Sequence, residues 1–581
     1  MGRYNLLDEP WISVIIDKKG NSKNVSMIDF FKHAHEYLDM GGDTKTQDFA
    51  VMRVMIAVIH TVFSRVYVSG EPYEYFDIDE RFRQKELIDE YDVDDYEGDL
   101  IGTWIDIWKM KKFPDVVIEY LEAWRDRFYL FDDKYPFFQV TKEDIEQADS
   151  DKENPGEFFG KNINRKISQS GNKTSLFSPK YEKENNRDIL DEDEIARWLL
   201  TLQGYVGQSD KVRFKVKKEY LIEEKYKAAN GWLFDLGGIY IRGQNIFETI
   251  MLNCVLANKN QNNLMNRQTP CWELENRALL KKYLNSAGDI YDNEVSLLTA
   301  WSRAVFIDPD TDAKKPFVCS IVKLPDVDHR NKIIEQMTIW NYNEKGKYKN
   351  TFTPRKHQSN KSIWRSFGLI SGNVESGEDK KYLKPGVIEW LNDISSVMST
   401  DIFIDNMLNI CSVSMKDNGH QASMVPVDEI VDDLFISEKV FLDKEWVVRI
   451  NETIEKTKTI VRSAFSEFIE DIREIRNIND RDFTYKKIEE LYYSIDFIFR
   501  DWLLGLKLDD EKEEKIFEWN RILRKIVIDE ANKVVKNANN RDFKGKKVDD
   551  GMKNIATAYN YFIYSLNHKI KIKKEAAHEE K

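Results

Sequence analysis

Cysteine is scarce in this 581-residue chain, and the four that occur, Cys254, Cys271, Cys319 and Cys411, are too dispersed for a metal knuckle. They are read as buried thiols rather than a disulfide framework, and no metal is expected. No apolar run approaches the ~20 residues a bilayer span needs, and Met1-Gly2-Arg3-Tyr4 lacks the apolar core of a signal peptide. A cytoplasmic protein without membrane contact is expected. Positive charge is in deficit: 87 Lys and Arg stand against 101 Asp and Glu, a net charge of -14. Non-specific nucleic-acid binding rests on phosphate neutralisation, so this balance argues against a protein that coats nucleic acid by itself. Any such contact is local, or shared with a basic partner. A Walker loop, an HExxH helix, a GxSxG elbow and a dinucleotide fingerprint are all missing, so the expectation is a non-enzyme without a cofactor.

Against these absences stand 41% hydrophobic and 12% aromatic residues, enough for large cores and two to four domains. Ile12–Ile16 and Lys23–Val25 flank the turn Asp17-Lys18-Lys19-Gly20 and read as a hairpin. Ser26 then reads as an N-cap. Phe49, Met52, Val54, Met55, Ile56, Ile59, Val62 and Phe63 make a helix apolar on most sides, in which His60 is a satisfied core residue. Acidic residues from Asp89 to Asp99 read as a solvated loop or exposed helix end. Pro114 occupies the first position of a helix through Val116, Ile118, Leu121 and Trp124.

From about Gln147 to Lys183 the chain is polar, and loops of such length are functional or disordered. Leu176 and Phe177 form an apolar tip within it, in the same tract as Asn172. Gly204 and Gly207 allow a close backbone approach, and Lys211, Arg213, Lys215, Lys217 and Lys218 follow as either a phosphate contact or a solvated face. Gly237-Gly238 precedes Arg242–Asn253, a loop entering an apolar helix. Asp417-Asn418-Gly419-His420-Gln421-Ala422-Ser423 is a polar turn, either a plain connector or a projecting tip.

From about Ile436 the pattern becomes purely helical. Val447, Ile450, Ile454, Val461, Phe465, Phe468 and Ile472 share one stripe; Ile488, Leu491, Ile495, Ile498 and Trp502 share a second. Ile516, Trp519, Leu523, Ile526 and Val534 form a third, and Met552, Ile555, Tyr559, Phe562, Leu566 and Ile570 a fourth. The expected fold is therefore α+β: a large, mostly helical N-terminal domain with short strands over 1–435, then an antiparallel four-helix bundle over 436–581. Arg541, Lys544, Lys546 and Lys547 lie in the last joint, read as a solvated loop.

Asn5-Leu6-Leu7-Asp8-Glu9-Pro10-Trp11, Tyr135-Pro136-Phe137-Phe138-Gln139, the Gly243–Asn253 stretch and Thr269-Pro270-Cys271-Trp272-Glu273 occur in the order and spacing of the CasA family. The chain thus resembles the large subunits of the type I-E CRISPR surveillance complex, Cascade. The resemblance implies a non-catalytic subunit that works with other Cascade subunits and the crRNA. It implies recognition of the protospacer-adjacent motif (PAM) of target double-stranded DNA from the minor groove, a start to strand opening, and recruitment of a helicase-nuclease. Lys349 in Lys349-Asn350-Thr351-Phe352-Thr353 resembles the family's lysine finger. Gln421, with Gly419, His420 and Ala422 around it, resembles its glutamine wedge. Phe177, with Leu176 and Asn172, resembles the loop that anchors the subunit near the guide RNA. Gly207 stands for the glycine loop, although Gln208-Ser209-Asp210 departs from the family's glycine cluster. A scaffold subunit that reads no DNA is the competing reading.

Overall fold

Apolar residues between Phe49 and Phe63 recur too densely for a single stripe, and in the computed structural model they form the helix Lys45–Phe63, enclosed on every side. Thr44 caps it, its hydroxyl accepting from the Gln47 N–H at 3.1 Å. Among the described residues this is the one helix long and apolar enough to cross a membrane, and protein surrounds all of it. The structure describes residues 2–87, 93–146, 155–163, 188–207, 212–214, 226, 230–257, 267–285, 291–372, 381–398, 402–403, 405–419, 426–548 and 551–570.

The chain divides into two compact units. One comprises Met1–Ser359, Gly377–Ile402 and Ile410–Asp433; the other comprises Asn360–Ser376, Phe403–Asn409 and Leu434–Lys581. The boundary expected at 435/436 lies inside the strand Pro426–Ser437. No compositional change marks the two earlier segments that join the second unit.

In the first unit, helices Val116–Ala123, Glu192–Tyr205, Ile246–Asn253 and Glu294–Leu298 pack around Lys45–Phe63. The sheets are small. Ile12–Ile15 pairs antiparallel with Ser22–Val25 and with Asp39–Met40, and Ser26 caps the next helix through the Asp29 N–H. Val318–Lys323 pairs antiparallel with Arg303–Phe306 and Gly156–Phe159. Trp340–Asn343 lies between Thr351–Pro354 and Tyr382–Leu383. Met407–Asp417 lies between Pro426–Ser437 and Gly237–Arg242.

The sequence motifs of this unit are structural staples. Asn5 donates to the Arg125 carbonyl at 3.1 Å and accepts from the Leu7 N–H at 3.0 Å. Gln139 donates to the Leu130 carbonyl and accepts from the Ile307 N–H. Glu273 forms a bidentate pair with buried Arg65 at 2.7 and 3.0 Å and accepts from the Tyr120 hydroxyl. Asn245 caps the helix Ile246–Asn253. The amides supply partners to groups that irregular backbone leaves unpaired, and the Glu273 carboxylate neutralises a buried guanidinium.

Several expectations need correction. Pro114 is not the first helical residue: Asp115 is the N-cap of Val116–Ala123, and the Pro114 carbonyl accepts from Val117. Asp94 and Asp95 lie in the exposed first turn of Val93–Met110, whereas Asp99 accepts from the Tyr67 and Tyr75 hydroxyls and is no loose surface charge. His60 is buried as expected but unsatisfied, its Nδ1 lacking a hydrogen bond and standing 3.8 Å from Glu294 Oε2. All four cysteines are buried and free. Burial pushes the Cys271, Cys319 and Cys411 thiols up to about 12, so none is a ready nucleophile.

In the second unit Lys444–Ile460 runs through a π-helical turn, Val461–Phe465, into Ser466–Arg476. Asp482–Leu504, Lys512–Lys536 and Ile555–Lys569 pack against this run, and Lys512–Lys536 packs against both of the others. Val447, Ile454, Phe468, Leu491, Trp519, Leu523 and Phe562 are among its buried residues. Ile498 is 38% exposed and Phe499 takes the inward place, while Met552 sits on the strand Gly551–Lys553 rather than a helix. The segment before the helices belongs here because Trp364 donates its indole N–H to Asp496 at 2.7 Å and Gly368 lies against Asn451. The last joint is ordered by ion pairs: Lys546 and Lys553 meet Glu474, and Arg541 donates to the Ile475 carbonyl.

Candidate nucleic-acid interface

Trp340–Asn343 and Thr351–Pro354 form a hairpin whose turn carries Lys345, Lys347 and Lys349. Gly346 (φ 84°) and Asn350 (φ 62°) supply the left-handed conformations that reverse the chain. The turn is closed by Asn350 N–H to the Asn343 carbonyl at 2.7 Å and by Asn343 Nδ2 to the Thr351 carbonyl at 2.9 Å. Below it Tyr342 and Phe352 pack with ring centroids 5.1 Å apart. The Asn331 side chain accepts from the Phe352 N–H at 2.8 Å. Lys349 is thus exposed on a short, braced arm. Among the described residues no carboxylate pairs with Lys345, Lys347 or Lys349, although Lys381 and Glu344 pair beside them at 3.0 Å.

The second candidate turn is described as far as Gly419. Gly419 has φ 71° and donates its N–H to Asp417 Oδ1 at 2.8 Å. Asp417 Oδ2 accepts from the Lys356 ammonium at 2.9 Å. Burial alone would raise the Asp417 carboxyl; hydrogen bonds from Lys356 and Gly419, with the Lys356 charge, hold it below the usual carboxylate value. Lys356 reaches this place because Gly237-Gly238 lets the chain after the Lys349 arm come close. A Cβ at Gly237 would strike the Arg355 carbonyl, and one at Gly238 would lie 2.9 Å from Phe49 and 3.0 Å from Val413. His357 Nε2 meets the Gly238 carbonyl at 2.9 Å.

The structure therefore ties together the roots of two turns that the sequence offered separately. Across the gap from Gly419, Glu429 accepts from the Thr46 N–H and hydroxyl at 3.0 Å each and from the Lys45 N–H at 3.4 Å. A carboxylate here satisfies free N–H groups and meets the positive end of the core helix. Lys356 and Glu429 were missed by sequence reasoning. Gly237-Gly238 was the available signal for the first, and nothing local marks the second.

Gly207 is buried, and its carbonyl accepts from fully buried Arg303 at 2.7 Å. Arg213 forms an isolated parallel bridge with Lys323. His420, Gln421, Ala422, Asn172, Leu176 and Phe177 lie outside the described residues, as do Lys211, Lys215, Lys217 and Lys218. Among the described residues, no group of three or more His, Cys, Asp and Glu side chains could hold a metal ion.

The family model described as CRISPR-associated protein Cse1 matches residues 5–529. The chain belongs to the Cse1 family. The CasA resemblance carried by Asn5–Trp11 and the later motifs is this same kinship. A curated relative, the CRISPR-associated protein CasA/Cse1 of Thermus thermophilus, is 26% identical over 254 residues, 44% of this chain and 40% of the relative. The match therefore spans less than half of that relative's length. Among solved structures, Cse1 of Thermobifida fusca is similar over 98% of both chains, with a TM-score of 0.73 and 20% identity. A chain of a CRISPR RNA-guided surveillance complex is similar over 97% of this chain and 100% of its own, with a TM-score of 0.67 and 12% identity. Both structures share the mixed helix-and-sheet fold of this chain.

Proposed function

We propose that this Cse1-family chain is the large, non-catalytic subunit of a type I-E Cascade. It works in the cytoplasm with the other Cascade subunits and the crRNA. It recognises the PAM of foreign double-stranded DNA from the minor groove, helps start strand opening, and recruits a helicase-nuclease once the R-loop forms. The second part of the chain serves as an antiparallel four-helix bundle. The observation that carries this reading is the Lys349 turn, which keeps three exposed lysines, paired with no carboxylate among the described residues, on a braced arm in a chain of net charge -14. Family kinship and the fold shared with a surveillance-complex chain support it.

The minor groove separates A·T from G·C but reads their orientation poorly, so several PAM sequences should be accepted. Unstacking the first pair costs a few kcal/mol, and an inserted side chain offsets that by filling the gap. Gln421 has the reach and both hydrogen-bonding polarities for the task. Phe177, with Leu176 and Asn172, anchors the subunit at the guide; Gly207, whose carbonyl accepts from Arg303, stands for the glycine loop.

The test is binding of the assembled complex to duplexes with and without a PAM. Lys349→Ala should weaken binding to the PAM duplex more than to the other. Equal losses on both, with a flatter salt dependence, would reduce Lys349 to a phosphate contact. Gln421→Ala should leave affinity nearly unchanged and slow opening beside the PAM.

A further inference from the structure

The strand that leaves Lys349, Thr351–Pro354, has two edges, and along one of them it pairs with Trp340–Asn343. On the other a single residue takes both backbone groups of Phe352. The Asn331 N–H donates to the Phe352 carbonyl at 2.9 Å, and the Asn331 side-chain oxygen accepts the Phe352 N–H at 2.8 Å. Asn331 thus takes the place of a neighbouring strand. Its φ of 57° is a left-handed conformation that asparagine tolerates better than most side chains, and it lets the side chain and the N–H of one residue face the same partner.

The loop that carries Asn331 is itself fastened. Asp328 Oδ1 accepts the Arg330 N–H at 2.9 Å, and Asp328 Oδ2 accepts from Arg330 Nε at 2.6 Å. His329 lies flat on Trp232, with ring centroids 4.2 Å apart and planes within 7°, and its Nε2 stands 3.1 Å from the Trp232 carbonyl. Trp232 donates its indole N–H at 2.7 Å to Glu335, the carboxylate that holds Arg53 of the core helix. A continuous series of contacts therefore runs from the core helix to the outer edge of the Lys349 arm.

We propose that Asn331 is a positioning residue that holds the Lys349 arm from its outer edge, so that Lys349 reads the groove instead of only meeting phosphate. The inference rests on the reading of Lys349 given above. Asn331 is exposed, so water competes for its hydrogen bonds and the fold draws little stability from them. The place of Lys349 depends on them more. An ammonium attracts phosphate across a Debye length of about 8 Å wherever it stands within that range. A hydrogen bond to a base edge instead needs its donor within a window of about half an ångström. Tyr382–Leu383 supports Trp340–Asn343, whereas Asn331 supports the strand that leaves Lys349.

The experiment uses the assembled complex and a pool of guide-matched duplexes randomised at the PAM position, with selectivity read as the ratio of affinities for preferred and rejected sequences. Asn331→Gly keeps the left-handed backbone and the N–H but removes the acceptor. It should lower the ratio about three- to fivefold, the equivalent of one ordinary net hydrogen bond. Affinity for rejected sequences, its salt dependence and the melting temperature of the subunit should stay unchanged, because every lysine of the arm remains. Asn331→Asp retains an acceptor and tolerates the same backbone, so it should keep the ratio while its charge lowers affinity for all sequences alike. In a Lys349→Ala background Asn331→Gly should have no further effect on the ratio.

An unchanged ratio in Asn331→Gly beside a lowered one in Lys349→Ala overturns the brace and leaves the reading of Lys349 standing. A loss that Asn331→Asp shares, that adds to that of Lys349→Ala, or that comes with a lower melting temperature assigns Asn331 to general stability and also overturns the proposal. An unchanged ratio in Lys349→Ala overturns the reading and the brace with it.

Discussion

The two units of this chain are held together by opposite means. In the first, ion pairs lie in the core: Arg53 and Glu335 are 2% and 1% exposed and form a bidentate pair at 2.8 and 2.7 Å, with Trp232 donating to the same carboxylate. Burial pushes the Glu335 carboxyl upward, but the Arg53 charge and the hydrogen bonds of Arg53 and Trp232 overcome that and hold it below its ordinary value. In the second unit the core is mainly an apolar seam, and exposed charges pair around it, as Lys546 does with Glu474 at 3.1 Å; the fully buried Asp542, which accepts from Arg476 at 2.9 and 2.8 Å, is the exception. Long helices satisfy their own backbone, so only apolar faces remain to be matched. Short strands and irregular connections do not, and buried polar side chains must complete them.

The sharpest break of this contrast is Glu335→Ala, which leaves the Arg53 guanidinium buried and unpaired. It should destabilise the first unit by about 3–5 kcal/mol in denaturant titration, and more than replacement of both partners by apolar residues. Leu523→Ala, in the helical seam, should cost about 2–4 kcal/mol through the cavity it leaves. A cost for Glu335→Ala below that of Leu523→Ala would mean that the buried pair is dispensable.

The His60–Glu294 pair sharpens the comparison through pH. Burial lowers His60 to about 3 and, first among its causes, raises Glu294 well above 4.5, so both are neutral in the fold. Between about pH 4.5 and 6.5 the unfolded chain binds a proton at His60 that the fold lacks, and the fold keeps one at Glu294 that the unfolded chain lacks. The two terms cancel. Above pH 6.5 the His60 term is spent, and stability falls with rising pH for as long as the raised Glu294 carboxyl keeps its proton in the fold. Glu294→Gln should abolish that alkaline fall and expose an acid loss beginning near pH 6.5, with a slope of up to about 1.4 kcal/mol per pH unit. Strong destabilisation of Glu294→Gln at pH 7 would show instead a charged His60–Glu294 pair. The smallest effect belongs to Lys546→Ala, whose exposed pair should contribute no more than about 1 kcal/mol and less at high salt.

The helical unit was largely legible because periodicity reports apolar faces: Val447, Leu491, Trp519 and Phe562 were all placed inward from spacing alone. Its errors came at the margins. Ile498 lost the inward place to Phe499, and Met552 fell on a hairpin that three residues of strand cannot announce. In the first unit the hairpin at Ile12–Val25, the Ser26 cap and the core helix were legible from local chemistry. The strands around Lys349 and Gly419 were not, since Glu429 meets Thr46 and Lys356 meets Asp417 across separations that no local pattern encodes. Gly237-Gly238 showed that something came close without showing what.

The staples at Asn5, Gln139 and Glu273 carry a consequence for descent. They lie in the motifs through which the sequence resembles the CasA family, and each is fixed by backbone groups or a buried guanidinium. A descendant could lose the lysines of the Lys349 turn and still need every staple to fold. Under the proposed function, the residues that hold this fold and those that would meet DNA are separate, so a chain could keep the first set and lose the second.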